Sequence, residues 1–140
     1  MNDEPNTLEE ILRHQNYIAL TTFRKNGQGV TTPIWFAFDR DRILFSTCEK
    51  YRKVRRMKNN PNVEIAPAKA RMGAPKDYKI IGKTIKGVAR LLEGEEAKAA
   101  KRLLRKKYGF TYTVFNILRG ISLFGSKLLF YEVIPKVLTN

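Results

Sequence analysis

The stretch LTTFRKNGQGVTTPIWF, residues 20–36, decides the fold class. Its two flanks are rich in β-branched and aromatic residues. Its centre carries Asn26-Gly27, the pair that supplies positive φ in tight hairpin turns. Residues 17–23 (YIALTTF) and 29–38 (GVTTPIWFAF) are therefore expected to be the two strands of a hairpin. Pro33 lies inside the second and lacks an N–H to donate, which suits an edge strand or a bulge. Downstream, DRDR (39–42) predicts a turn and ILFSTC (43–48) a third strand. Three strands joined by short turns make an antiparallel meander.

Further out, KYRKVRRMKN (50–59) predicts a short helix with six cations in its first nine residues, ending just before Pro61. NVEIAPA (62–68) reads as a fourth strand, and 69–79 as a polar, basic loop containing Gly73 and Pro75. IIGKTIKGVARLL (80–92) carries two glycines and suits a long strand bent at a barrel corner. GEEAKAAKRLLRKKY (94–108) is the clearest helix, with acids in its first turn and bases in its last, complementing the helix dipole. Ala97, Ala100, Leu104 and Tyr108 share one face of it, and Gly109 can end it. LLFYEVI (128–134) is a closing strand before Pro135. At the other end, TLEEILRHQ (7–15) predicts a short helix capped by Thr7, with Glu10 completing a capping box. Residues 110–127 are unusually apolar and stay unassigned. The sum is a mostly β chain of about six antiparallel strands, long enough to curl into a small barrel, with peripheral helices.

Length agrees with one domain over residues 1–140. A domain of this size buries roughly two-thirds of its unfolded surface and needs no disulfide or metal to hold a core. Cys48 is the single cysteine and His14 the single histidine. An intramolecular disulfide is thus impossible and a Cys/His zinc site is excluded, so no metal residue is assigned. A reducing, cytoplasmic setting is expected. Cys48 is expected to be a small buried hydrophobe, and His14 structural or solvated. The first ten residues are acidic and polar rather than signal-like, and no apolar run is long enough for a membrane span.

Charge is the outlying quantity. The chain carries 27 Lys+Arg against 13 Asp+Glu, a net +14. Residues 1–49 hold 5 basic and 7 acidic residues, 50–107 hold 19 and 5, and 108–140 hold 3 and 1. The excess is therefore confined to the middle segment, where it can form a local positive field for an anionic partner. The cluster at 50–58 reads as a solvated helix face or a nucleic-acid patch.

The ordered set LTTFRKNGQGVTTPIWF (20–36), ILFSTCEKYRKVRRMKNNPNVEI (43–65) and GVARLLEGEEAKAAKRLLRKKYG (87–109) resembles one family. It is similar to the pyridoxamine 5′-phosphate oxidase-like split β-barrels, and within them to the branch of coenzyme F420-dependent enzymes. The resemblance spans residues 8–109, with 128–134 as the closing strand. It implies a six-stranded antiparallel split barrel, a homodimer, and a flavin-type cofactor at the dimer interface. Thr31, Thr32, Pro33, Ile34 and Trp35 match the stretch that lies along the cofactor ring. Ser46 and Thr47 match the region near the ribityl–phosphate, and Lys53, with Arg56 close behind, matches the phosphate-binding lysine. Each of these also has a plainer reading: Trp35 as a core or interface aromatic, Ser46 and Thr47 as polar alternation along a strand.

The implied activity is hydride transfer to or from a small-molecule substrate. The cofactor carries that chemistry, so the scarcity of His and Cys does not weigh against it, and no catalytic residue is assigned. An FMN phosphate brings about two negative charges. The polyglutamate tail of F420 would use more of the basic surface, which favours F420 over FMN. The competing readings are a nucleic-acid-binding module and a barrel that carries a flavin, haem or tetrapyrrole without turnover. Nucleic acid is the less favoured partner, because no helix-turn-helix, zinc finger or RNP-like motif is present.

Overall fold

In the computed structural model, residues 12, 15–71, 74–110 and 127–136 are described. Most of the N-terminal helix expected at 7–15, His14, and the apolar segment at 111–126 fall outside them. Eight strands and two helices follow in chain order: β1 (Tyr17–Phe23), β2 (Gly29–Ile34), β3 (Ala37–Asp39), β4 (Arg42–Cys48), α1 (Arg52–Asn59), β5 (Asn62–Arg71), β6 (Ala74–Ile80), β7 (Ile85–Leu92), α2 (Gly94–Tyr108) and β8 (Leu128–Pro135). Every strand pairing is antiparallel, in the order β2-β1-β5-β7-β8-β4-β3, with β6 on the flank of β5. The sheet curls without closing, the architecture of a split barrel, and β2 and β3 stand at its two ends.

Eight strands replace the expected six for two physical reasons. Trp35 and Phe36 interrupt the ladder after Ile34, so the single strand expected at 29–38 becomes β2 and β3. The polar stretch read as a loop at 69–79 instead folds back on β5 as β6, with Ala68 opposite Ile80 and Lys69 opposite Lys79. The long strand expected at 80–92 begins only at Ile85. Here the backbone turns from β6 to β7, and Ile81 N–H donates to the Pro67 carbonyl.

Side chains alternate cleanly between the two sheet faces. Ile18 and Leu20 of β1, Ile34 of β2, Ile43 and Phe45 of β4, Val63 and Ile65 of β5, Ala89 of β7, and Tyr131 and Val133 of β8 fill the inner face. Gly87 is required there, because a Cβ would come within 2.7 Å of Val133 Cγ1. Met57 of α1 joins this core. On the outer face, α2 lays Ala100 and Leu104 over Leu44, Leu92 and Phe130, with Ala97 and Tyr108 at the margin. That is the face its sequence periodicity predicts. Cys48 is buried, as expected.

One polar cluster holds four strands and α2 together. The Glu132 carboxylate on β8 is buried and accepts from Arg42 of β4 at 2.8 Å and from Arg90 of β7 at 3.0 Å. Arg42 also pairs with Asp39 at 2.9 Å, and Arg90 with Glu96 of α2 at 2.7 Å. Burial alone would push the Glu132 pKa up, but the hydrogen bonds from Arg90 and Arg42 outweigh it and hold it below the ordinary value.

Candidate functional site

The β1–β2 turn is built as Asn26-Gly27 predicts. Gly27 takes φ +90°, Asn26 Oδ1 accepts from the Gln28 N–H at 2.9 Å, and the Arg24 backbone closes the hairpin onto Gln28. This places Arg24 beside the end of β1. Across from it, α1 starts at Arg52 directly after β4. Its N-cap Tyr51 offers no side-chain cap, and its first turn holds no acid. Such an N-terminus favours an external anion.

Arg56 is the arginine whose contacts define this corner, and the charges of Arg24 and Arg52 act on it. Arg56 Nε donates to the hydroxyl of buried Thr22 at 2.6 Å. Desolvation first, then the charges of Arg24 and Arg52, lower the Arg56 pKa. Arg52 and Arg56 are one helical turn apart, and Lys53 is three residues from Arg56 on the same helix, with its Nζ 5.7 Å from the Tyr51 ring centroid. Among the described residues, no carboxylate pairs with Arg24, Arg52 or Arg56. A like-charge cluster held this way by the fold has the donors of an anion site.

The edge strand β2 runs alongside. Thr22 lies opposite Val30, Leu20 opposite Thr32, and Ile18 opposite Ile34, so Thr32 and Ile34 share the face that carries Thr22. Thr31 and Pro33 point to the other face. There the Thr31 and Thr21 hydroxyls are 2.6 Å apart, on the wall of an open cleft of about 350 Å³ that also includes Ala19, Ala66 and Ile80. Pro33 sits on an edge strand, where its missing N–H costs no ladder bond. Trp35 follows β2, half-buried. Its ring stacks on Tyr108 with centroids 4.5 Å apart and meets Tyr17 edge-on at 6.3 Å.

The nine residues expected at a cofactor therefore divide. Arg56 and Lys53 lie on α1, Thr32 and Ile34 on the adjoining face of β2, and Thr31 and Pro33 on the reverse face. Ser46 and Thr47 are successive on β4 and point to opposite sides of the sheet, Ser46 half-buried opposite Phe130 and Thr47 opposite Leu129. Thr47 is 1% exposed, and its hydroxyl has no hydrogen-bond partner among the described residues. Sequence reasoning missed Thr22, Arg24 and Arg52. Arg52 was visible in the basic run, whereas Thr22 and Arg24 join the cluster only through the packing of α1 on β1.

This arrangement, an open antiparallel barrel with a basic helix over the end of its first hairpin, defines a split-barrel class of fold. The pyridoxamine 5′-phosphate oxidase family model matches residues 5–127, and the chain belongs to that family. Among solved structures, the haem storage protein HutZ from Vibrio cholerae is 18% identical, with 98% of this chain and 92% of that chain covered and a TM-score of 0.66. An F420 reductase is 19% identical over 96% and 97% of the two chains, TM-score 0.60. A haem-binding protein from Mycobacterium smegmatis is 17% identical over 94% and 52%, TM-score 0.64. At these identities the likeness is one of fold. No curated protein matches the sequence.

Proposed function

We propose that the chain binds a flavin-type cofactor through the α1 guanidinium cluster and acts as an oxidoreductase on a small molecule, working as a homodimer. The observation that carries this reading is Arg56 held on Thr22 beside edge strand β2, with the positive charges of Arg24 and Arg52 acting on it. The donor chemistry fits a phosphate. Arginine forks and a lysine point charge supply charge-assisted hydrogen bonds, each worth about 1.5–3 kcal/mol. Arg52, Lys53 and Arg56 would hold the phosphate, with Arg24 closing the rim. Thr31 to Trp35 would lie along the ring system. When bound, the cofactor supplies the hydride chemistry. The protein's part is to hold it, orient its ring against β2 and leave one ring face to the substrate.

F420 is the favoured ligand over FMN. The four cations assigned to the site, Arg24, Arg52, Lys53 and Arg56, exceed the need of one phosphate dianion, and an anionic tail would use the surplus. The test is to purify the protein, denature it and identify any released chromophore by mass spectrometry. A deazaflavin or a flavin is the expected finding. A released haem, the group that two structural neighbours store or bind, would overturn the reading.

A further inference from the structure

A second cleft lies where the last turn of α2 meets the β2–β3 connection and β3. Its volume is about 370 Å³, within the lower range of small-ligand sites. Leu12, Phe36, Phe38 and Leu103 give it apolar walls, and Lys106 and Lys107 stand over them. None of the α1 cations lines it.

The geometry at Lys107 is unusual for a surface lysine. Its Nζ lies 3.4 Å from the centroid of the fully buried Phe36 ring. Desolvation at that position lowers its pKa to about 8, although the residue as a whole is exposed and the cleft is open on one side. Among the described residues, neither Lys106 nor Lys107 has a carboxylate within ion-pair distance, whereas Arg42 and Arg90 on the neighbouring strands are each paired with acids. The floor is held in place: the Phe36 N–H donates to the Tyr108 hydroxyl at 2.9 Å, so the aromatic wall is set before any ligand arrives.

We infer that this cleft binds a small apolar monocarboxylate, its tail against Phe38 and Leu103 and its carboxylate on the Lys107 ammonium. Apolar walls select the tail, and a partly desolvated cation without an acidic partner among the described residues selects a single anionic head. None of the residues lining this cleft is assigned to the cofactor site.

Benzoate and benzyl alcohol, which share a ring and differ in charge, test it by titration against the emission of Trp35, the chain's one tryptophan, stacked on Tyr108. Benzoate should bind at least about tenfold tighter than benzyl alcohol, the scale of one charge-assisted contact. Lys107→Gln should abolish that preference, Lys107→Arg should keep most of it, and Lys53→Gln on α1 should leave it unchanged. Thermal unfolding of each variant checks that it is folded. Equal binding of the two probes, no binding of either at millimolar concentration, or a preference that survives Lys107→Gln would each overturn the inference.

Discussion

Arg56 joins a structural contact to the proposed cofactor site. Its hydrogen bond to Thr22 anchors α1 on β1, while Arg24 and Arg52 repel it. An anion bound at the proposed site would relieve that repulsion. Arg56→Gln should weaken cofactor binding about ten- to hundredfold, the loss of one charged hydrogen bond, read by calorimetry. Arg24→Gln should weaken it less while leaving the melting temperature of the cofactor-free protein unchanged or raised. A fall of several degrees would show that Arg24 is structural instead. Glu132 is the opposite case, a buried acid fully compensated by two arginines. Glu132→Ala leaves Arg42 on Asp39 and Arg90 on Glu96 but removes the carboxylate they share, and should cost about 1–3 kcal/mol in denaturant unfolding. Because the folded pKa of Glu132 is depressed, its stabilisation is complete above the ordinary value of 4.5 and is lost as pH falls through the lower folded value. Stability measured below pH 4.5 should therefore drop more steeply in the wild type than in Glu132→Gln.

At the scale of elements, α2 is more than a cover. Its last residue reaches across the chain, with the Tyr108 hydroxyl 2.7 Å from the Asn16 carbonyl and 2.9 Å from both the N–H and the carbonyl of Phe36. Burial raises the Tyr108 pKa well above its usual value, so the phenol stays protonated. Tyr108→Phe removes the partner of the Phe36 N–H and should lower unfolding stability by about 1–3 kcal/mol, with the Trp35 emission changed by the loosened stack. β1, β4, α1, α2 and β8 were legible in sequence, because each has a strong period or a clear stop such as Gly109 or Pro135. β6 was not, since its KDYK core is polar and gains its place only by pairing with β5 across a turn. The break between β2 and β3 was hidden too. Trp35 and Phe36 have high β-propensity, and their departure from the ladder follows from tertiary contacts with Tyr108 and Tyr17. The candidate site was half legible for the same reason. Lys53 and Arg56 stand out in a basic run, but Thr22 lies 34 residues from Arg56 and only folding joins them.

For the molecule as a whole, the net +14 is distributed by the fold rather than gathered. Part of it surrounds α1. Part lies on the exposed side of α2, at Lys98, Lys101, Arg102 and Arg105, and part on β5 and β6, at Lys69 and Lys79. Only the first group adjoins the proposed cofactor site, so the middle-segment excess is a sum of separate surfaces. Among the described residues, no helix is long and apolar enough to cross a membrane. The central claim is that the α1 cluster holds the phosphate of a flavin-type cofactor. Calorimetric titration of wild type and Lys53→Glu with F420 and with FMN tests it most directly. The account predicts saturable binding by the wild type, tighter for F420, and a loss of at least tenfold in the charge-reversed variant. Equal affinity of wild type and Lys53→Glu for both cofactors would contradict it.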